Sequence, residues 1–412
     1  MSVSLTYLGG ASEVGRAGAV LEGPEGRLLL DYGIQPDDPP KFPLPAPDVD
    51  ALLLTHAHLD HCGLAPKVAS RGTPVISTPV TGALAGRMAQ DTLRVAELEG
   101  YPLPFLPASI GDLAHSLRPS KPGSVEYRGG FEFQMFNAGH IPGAVMFDFP
   151  QQDFLFTGDF HAVDTQLTRA AKPRPCKTLA IESTYGGRDH PNRHQTESEL
   201  VDSIEDVVNS GGRVVLPSFG LGRSQELLML VRNLGFEVWL DGLGRDIARI
   251  LQKYPGSIRD VSSMHKAIRQ TNFVKHSRHR EVALNADVIV TTSGMLNGGP
   301  VLHYLSRLRK DSSSAVFLTG FQVPGTNGHL LKETGKLRLD RNPESPSFEL
   351  ECQLKAFDLS GHAGHSQIVD FVNACSPEKV ILYHGDNREA FIDDLKDYDL
   401  LLPRENETID IA

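Results

Sequence analysis

Three histidines and one aspartate lie within six residues of one another, directly after the apolar segment 51–54. The candidate ligands are His56, His58, Asp60 and His61, in the pattern HxHxDH. Imidazole nitrogen and carboxylate oxygen are the ligands that Zn²⁺ takes in proteins when thiolate is absent. A single histidine is usually a surface or core residue, but this cluster, on a loop that leaves a buried strand, predicts a metal site.

Two later segments offer ligands that one loop cannot supply. His140 follows an apolar strand predicted at 131–136, with a glycine before it, and Asp159 ends the segment Phe-Thr-Gly-Asp after another apolar strand. An aspartate at the end of a strand is more often a turn or capping residue. Its position downstream of the histidine cluster favours a ligand here.

The elements that must position these residues are typical of a mixed α/β chain. Over the first 160 residues, short apolar segments separated by glycines and acidic turns predict strands, with helices at 64–70 and 81–99 between them. From about residue 196, an alternation of strand, loop and helix predicts a doubly wound α/β unit, and short elements return after about residue 355. We therefore expect an α/β sandwich rather than an all-β fold.

Composition excludes several classes of protein. The chain has 412 residues, and no run approaches the roughly 18 apolar residues of a membrane span. The N-terminus lacks the charged and apolar regions of a signal peptide. Four scattered cysteines, with no CxxC pair, predict reduced thiols and a cytoplasmic location. The net charge of −11 is a first objection to nucleic acid as a partner, because nucleic-acid-binding domains are usually basic.

The order of the motifs resembles that of the metallo-β-lactamase superfamily. HxHxDH, a lone histidine after a glycine, and the aspartate of Phe-Thr-Gly-Asp follow one another as in that family. Asp31, in Leu-Leu-Leu-Asp-Tyr-Gly, occupies the place of the family's structural aspartate, which supports the ligand loop.

The resemblance implies two Zn²⁺ ions, because in that family the Asp-His pair that follows the first HxH binds a second ion. The implied ligands are His56, His58 and His140 for the first ion, Asp60 and His61 for the second, and Asp159 as a bridge between them.

The rest of the chain resembles the β-CASP nucleases, a subgroup of that superfamily. Glu182 in Glu-Ser-Thr-Tyr-Gly, His362 in Ser-Gly-His-Ala and His384 in Tyr-His-Gly-Asp match its motifs A, B and C. The nearest likeness is to RNA-processing nucleases of the archaeal cleavage and polyadenylation factor type and of the RNase J type. The resemblance implies an αββα sandwich formed by residues 1–195 and 356–412, with a doubly wound β-CASP domain inserted at 196–355.

His384 favours RNA as the substrate, because DNA-cleaving members of the subgroup carry valine there. The resemblance therefore implies a ribonuclease that hydrolyses phosphodiester bonds with a hydroxide activated by two metals, in mRNA 3′-end processing or RNA decay. His384 would also complete the shell of the second ion. Asp60 is expected to orient the hydroxide or accept its proton, and His362 to contact the scissile phosphate or protonate the leaving oxygen. Glu182 is expected to position His384 or another imidazole.

Other functions remain open at this point. A small-molecule ester or thioester hydrolase explains HxHxDH equally well, but it leaves the inserted segment, His362 and His384 unexplained. A DNA nuclease of the same fold is disfavoured by His384, and a scaffold without activity is disfavoured because every ligand is present. The sequence does not separate endonuclease from 5′-to-3′ exonuclease activity.

The charge objection weakens when the chain is divided. Residues 196–355 carry 20 basic and 18 acidic side chains, and the stretch 253–280 carries seven basic and one acidic. A basic stretch of this kind predicts contact with the backbone of single-stranded RNA. The candidate RNA-binding residues are Arg223, Lys275, Arg278 and Arg280, of which Arg223 opens a helix after a glycine-containing loop. No membrane is expected as a partner, whereas a second copy of the chain and an RNA-processing complex stay open.

Overall fold

The structure is a computed structural model that describes residues 3–340, 342 and 344–411. The chain divides into two compact units. The first unit consists of the chain up to Asp164, Arg169–Asp189 and the chain from Gly361 onward, and the second consists of Thr165–Thr168 and His190–Ser360. The second unit is therefore somewhat longer than the predicted segment 196–355, because a helix that begins at Arg193 with Asn192 as its N-cap belongs to it.

Strands in the described residues are numbered in chain order. The strands of the first unit that precede residue 190 are β1 (Ser4–Gly9), β2 (Gly18–Gly23), β3 (Gly26–Tyr32), β4 (Ala51–Leu53), β5 (Val75–Ser77), β6 (Leu117–Pro119), β7 (Val125–Arg128), β8 (Phe131–Asn137), β9 (Val145–Phe149), β10 (Phe154–Phe156) and β11 (Thr178–Glu182). Those of the second unit are β12 (Val214–Pro217), β13 (Val238–Asp241), β14 (Thr271–Phe273), β15 (Val288–Thr291), β16 (Ala315–Leu318), β17 (Lys336–Arg338), β18 (Ser347–Glu349) and β19 (Gln353–Ala356). The first unit resumes with β20 (Lys379–Tyr383), β21 (Asp399–Leu401) and β22 (Thr408–Asp410).

The α-helices of the same residues are numbered likewise. The first unit contains α1 (Leu59–Cys62), α2 (Ala65–Ala69), α3 (Pro79–Glu99) and α4 (Ser109–Ser116). The second unit contains α5 (Arg193–Asn209), α6 (Arg223–Val231), α7 (Gly244–Leu251), α8 (Val261–Gln270), α9 (Arg278–Ala283), α10 (Pro300–Leu308) and α11 (Asn327–Thr334), and α12 (His365–Cys375) returns to the first. Among the residues that the structure describes, no helix combines the length and apolar character that crossing a bilayer requires.

The first unit contains two seven-stranded sheets. Their orders are β22-β1-β2-β3-β4-β5-β6 and β21-β20-β11-β10-β9-β8-β7. In β8 the buried side chains alternate with partly exposed ones, as expected for a strand with one face on a core. Leu5, Leu30 and Leu53 of the first sheet share one buried cluster with Phe133 and Phe147 of the second. The two sheets thus pack through a common core, which confirms the predicted α/β sandwich.

Several functional motifs lie where neighbouring strands of the first unit end. β10, β11 and β20 run parallel, with Glu182 opposite Tyr383 in the register of the last two. β3 and β4 also run parallel. Because parallel neighbours end at the same edge of a sheet, the segments that follow β10, β11 and β20 are brought together although they are distant in sequence.

The second unit contains a six-stranded sheet in the order β14-β13-β15-β12-β16-β19, with every neighbouring pair parallel. β12, β13, β15 and β16 are buried along their whole length. Full burial is typical of parallel strands covered on both faces by helices. The arrangement confirms the predicted doubly wound α/β unit.

Three consecutive leucines occupy positions 400–402 near the end of the sequence. In the structure β21 contains the first two of them and pairs in parallel with β20, so this segment extends the second sheet of its own chain. The four cysteines are all buried, and none of them is in a disulfide.

Candidate metal centre

The sequence predicted a simple loop for the HxHxDH segment. In the structure this segment contains one helical turn, α1. His58 is the N-cap of α1, and its carbonyl accepts hydrogen bonds from the backbone N–H groups of His61, at 3.0 Å, and Cys62, at 2.9 Å. Asp60 and His61 therefore lie on a helical turn, whereas His58 before it has an extended backbone. The four side chains can therefore serve two neighbouring sites.

The first donor group consists of His56, His58, His140 and Asp159. His58 Nδ1 lies 3.2 Å from His56 Nε2 and 2.9 Å from His140 Nε2. Asp159 Oδ2 lies 3.4 Å from His56 Nε2 and 3.7 Å from His140 Nε2. These four atoms face one another across a volume that could hold a single ion.

The second donor group consists of Asp60, His61 and His384. His384 Nε2 lies 3.7 Å from Asp60 Oδ2, and His61 Nε2 lies 4.0 Å from the same oxygen. Asp159 turns its other oxygen, Oδ1, toward this group, at 3.3 Å from His61 Nε2 and 3.7 Å from His384 Nε2. One carboxylate therefore faces both donor groups.

The donor atoms fit a divalent metal ion. Ligands bound to Zn²⁺ at 2.0–2.1 Å with tetrahedral angles lie about 3.3–3.4 Å apart, which is the middle of the range found in the first donor group. Three buried atoms at the second group have no hydrogen-bond partner among the described residues, namely His61 Nε2 and His384 Nε2 of the group itself and the Asp159 Oδ1 that faces them. Buried polar atoms of native proteins are normally paired, so three convergent exceptions indicate a ligand of another kind.

The protonation of the histidines agrees with this interpretation. Burial, and then the ring of His61, lower the pKa of His56 well below its usual value, and burial, then His362, do the same for His140. Neutral imidazole is the form that binds metals. For His61, burial lowers the pKa but the carboxylates of Asp159 and Asp31 outweigh it and raise the pKa. A positive charge is favoured at this ring, and a metal ion can supply it in place of the proton.

Contacts behind the ligands fix their orientation. Asp31 accepts hydrogen bonds from the Thr55 backbone N–H, at 2.8 Å, and from the Thr55 hydroxyl, at 2.6 Å, and its Oδ2 lies 2.7 Å from His61 Nδ1. The carbonyl of Gly361 lies 2.7 Å from His140 Nδ1. Both contacts occupy the nitrogen that is not directed at a donor group, which leaves Nε2 of each ring to act as a ligand. Asp31 therefore lies where the resemblance placed a supporting aspartate.

His362 and Glu182 form a pair beside the two donor groups. His362 Nδ1 lies 2.9 Å and 3.1 Å from the two carboxylate oxygens of Glu182, and 3.9 Å from Asp159 Oδ2. Burial lowers the pKa of His362, but Glu182 and then Asp159 outweigh it and raise the pKa to about 9. Glu182 is itself fully buried, and it also accepts a hydrogen bond from the Phe160 backbone N–H at 2.9 Å. Of the two expected targets of Glu182, the ring that it contacts is His362.

Two of the predicted RNA-binding residues are already engaged by carboxylates. Arg223 pairs with Glu226, which also binds the buried Arg193. Arg280 Nε lies 2.7 Å from Asp241 Oδ2, on a carboxylate that is 2% exposed. Much of the charge of Arg223 and Arg280 is therefore already balanced inside the second unit, and their contact with RNA phosphate stays a prediction.

Lys275 and Arg278 are exposed and keep the predicted role as a proposal. His365, the first residue of α12, is held in place by three contacts. Its Nδ1 accepts a hydrogen bond from the Gly187 backbone N–H at 2.9 Å, its Nε2 lies 2.9 Å from Asp394, and its ring stacks on Phe391.

Sequence reasoning missed the contributions of Thr55 and of the Gly361 carbonyl. A threonine directly before HxHxDH was a usable signal, because its hydroxyl can reach a nearby carboxylate. The carbonyl had no signal, since every residue carries one. Asp386, in the same motif as His384, accepts a hydrogen bond from the Val14 backbone N–H at 3.3 Å.

Comparison with known families agrees with the geometry. Three family models match the chain, namely the metallo-β-lactamase superfamily at residues 17–218, the Beta-Casp domain at residues 224–331 and the Zn-dependent metallo-hydrolase RNA specificity domain at residues 347–399. Together they define a metallohydrolase that carries a Beta-Casp domain. The chain belongs to the β-CASP branch of the metallo-β-lactamase superfamily, which confirms the predicted resemblance.

Curated relatives of similar length carry ribonuclease names. A probable RNase MJ4 from Methanocaldococcus jannaschii is 31% identical over 95% of both chains. RNase aCSPSF2 from Saccharolobus solfataricus is 34% identical over 96% of this chain and 82% of its own. The fold also matches a crystal structure of a protein of unknown function from Enterococcus faecalis, with a TM-score of 0.62, 13% identity and full coverage of both chains.

The Asp31→Asn variant tests the support of the second donor group. An amide in place of the carboxylate cannot accept both Thr55 hydrogen bonds and hold His61 Nδ1–H, so we expect Zn²⁺ affinity to fall by about 10- to 100-fold. Competition with a chelator of known affinity measures this, with Asp112→Asn on the exposed face of α4 as the matched control. Equal affinities in the two variants would show that Asp31 does not orient the ligand.

Proposed function

We propose that the chain is a zinc-dependent ribonuclease that hydrolyses RNA phosphodiester bonds with two bound ions. The observation that carries this proposal is the pair of donor groups that share the buried carboxylate of Asp159. His56, His58 and His140 would hold one ion, Asp60, His61 and His384 the other, and Asp159 both. Bound there, the two ions would lower the pKa of water and neutralise charge on the scissile phosphate.

The residues of the chain supply orientation and proton transfer. Asp60 is about one-quarter exposed at its side chain, unlike the fully buried His61 and His384, so it is the donor that can also meet an incoming water molecule. It can orient that water or accept its proton. His362 is one-fifth exposed and holds Glu182 through Nδ1, so Nε2 is the atom that would contact the phosphate or protonate the leaving oxygen. Glu182 is a positioning residue, because its contacts are to His362 and to backbone and hydroxyl groups.

RNA as the substrate is supported by the relatives and by the charge pattern. The relatives are named ribonucleases, and a further one, 31% identical over 94% of this chain, is named a transcription termination factor in Methanocaldococcus jannaschii. These names favour RNA 3′-end formation or decay as the process served. Lys275 lies just before α9 and Arg278 is its first residue, and both are exposed. We assign these two cations to the RNA backbone.

A comparison of substrates tests the proposed function directly. The metal-loaded protein is incubated with end-labelled single-stranded RNA, DNA of the same sequence and a thioester. We expect RNA to be cleaved, and cleavage of only the thioester or only DNA would replace this function with one of those two. Circular RNA then separates the modes of cleavage, since only an endonuclease can open a circle, whereas a strong preference for a 5′-monophosphate indicates an exonuclease.

The His384→Ala variant tests the second ion. It removes one donor of the second group and leaves the first group intact, so we expect bound zinc to fall from about two ions to about one per chain. Cleavage should fall on the order of 100-fold or more, because one ion alone stabilises less of the charge on the phosphate. Elemental analysis and initial rates measure the two effects, with His115→Ala on α4 as control. Retention of both ions by His384→Ala would remove this residue from the ligand set.

The His362→Ala variant separates proton transfer from metal binding. His362 lies outside both donor groups, so we expect the metal content to be unchanged while cleavage falls by about 10²- to 10⁴-fold, the usual range for a general acid. Glu182→Gln should lower the rate less, because His362 remains. An unchanged rate for His362→Ala would show that another group acts on the leaving oxygen.

A further inference from the structure

Two exposed phenylalanines lie at the carboxyl edge of the parallel sheet of the second unit. Phe219 follows the end of β12, Phe321 follows the end of β16, and these two strands are parallel neighbours. Phe219 is 41% exposed and Phe321 is 43% exposed, and Val323 nearby is 40% exposed. Single exposed apolar residues are ordinary, whereas two exposed aromatic residues on loops that follow adjacent strands offer a surface that a flat ligand could cover.

The sheet order places this edge at a reversal of the winding. From β12 the chain crosses to β13 on one side, and from β15 it crosses to β16 on the other, although β12 and β15 are neighbours. The loops that follow β12 and β15 therefore diverge and leave a crevice, which is the usual place for ligands in open α/β sheets. Phe219 lies in the first of these two loops.

Glycines leave the ring of Phe219 room within the crevice. A Cβ atom on Gly320 would lie 3.4 Å from Phe219 Cε2, and one on Gly294 would lie 3.1 Å from the Phe219 backbone nitrogen and 3.5 Å from Cδ2. The ring therefore lies against the backbone of two other loops, one of which carries Phe321 directly after Gly320. Phe321 is thus the residue next to a backbone segment that the Phe219 ring approaches.

The loop that carries Phe321 is held by buried amide side chains. Gln322, which is 6% exposed, donates hydrogen bonds from Nε2 to the carbonyls of Gly294 and Gly320, both at 3.1 Å. Asn327 donates from Nδ2 to the Leu296 carbonyl at 3.0 Å. An aromatic ring displayed on a loop pinned in this way loses little conformational entropy when a ligand covers it.

The size of the surface favours a small flat ligand over a protein. An aromatic side chain can bury about 150–250 Å², so the exposed parts of the two rings together offer roughly 120–210 Å². A stable protein interface needs about 800 Å² from each partner. A nucleobase matches the smaller area, because its π-face stacks on an aromatic ring whatever its identity.

We propose that Phe219 and Phe321 form a platform on which unpaired bases of single-stranded RNA stack. The choice of RNA as the ligand rests on the proposed function, whereas the platform itself rests on the exposure, the neighbouring strands and the pinned loop. Stacking requires a base that is free of its partner, so the platform selects single strands over duplexes.

Substitution of the two rings tests the platform. The variants Phe219→Leu and Phe321→Leu keep the apolar character but remove the aromatic ring. The variants Phe219→Tyr and Phe321→Tyr retain an aromatic ring at each position. Phe348→Leu is the matched control, since Phe348 is 38% exposed in β18 of the same unit. All variants carry His362→Ala so that bound RNA is not consumed. Affinity is measured by fluorescence anisotropy with short oligouridine and with an oligomer of the same backbone that has abasic sites.

We expect each leucine variant to bind oligouridine about 5- to 150-fold more weakly than its parent, with the tyrosine variants and Phe348→Leu near the parent. Affinity for the abasic oligomer should be the same in all of them. Leucine variants that bind oligouridine as well as the parent does would overturn the platform and leave the proposed ribonuclease untouched. Lost self-association in sedimentation with unchanged RNA affinity would assign the surface to a second copy instead.

The two proposals fail separately. If the leucine variants lose affinity for oligouridine while the chain with His362 intact cleaves no RNA, the platform stands and the ribonuclease proposal fails. If the parent binds neither oligomer, the platform is refuted together with the choice of RNA as the substrate.

Discussion

The carboxylate of Asp159 is the group on which the geometry of the first unit depends. One of its oxygens faces His56 and His140, and the other faces His61 and His384, in a position that is 2% exposed. A buried carboxylate costs several kcal/mol unless cations or hydrogen bonds surround it. Because a single side chain serves two donor groups, every segment that supplies a ligand has to end within a few ångströms of it.

The fold meets this constraint where strands end. Several strands stop at the same edge, and the chain turns sharply there, with a left-handed backbone at Asp31 (φ 58°) and His384 (φ 54°). Such a conformation costs on the order of 1–3 kcal/mol for a residue other than glycine. Hydrogen bonds compensate for it, since the His384 backbone N–H donates to the Gly10 carbonyl at 2.8 Å and the Thr184 hydroxyl donates to the His384 carbonyl at 3.2 Å. Gly158, beside Asp159, turns the chain in the same way without that cost (φ 56°).

The candidate ligands, which the structure brings together, could be named from the sequence because their chemistry is carried by residue types at short spacing or in a fixed order. The strands and the fold class of both units could be predicted because apolar patterning is also a property of neighbouring residues in the sequence. The pairing of Arg280 with Asp241 could not be predicted, because the two residues are 39 positions apart and meet only through the order of strands. The pairing of Arg223 with Glu226 was within reach, since residues three apart on a helix are neighbours. Phe219 and Phe321, 102 positions apart, are brought to one edge only by the pairing of β12 with β16.

The net charge of −11 acquires a different meaning once the carboxylates are located. Asp31, Asp159 and Glu182 are fully or almost fully buried and are engaged with imidazole rings, so they do not contribute to the field that an approaching polyanion meets as exposed acids would. Segment 196–355 is close to neutral, and two of its arginines are paired internally. With a modest cationic contribution, base stacking has to provide a larger share of the affinity for RNA. Phosphate attraction is stronger for a duplex, which has the higher charge density, whereas stacking requires an unpaired base, so a larger share of stacking in the binding energy favours unpaired RNA.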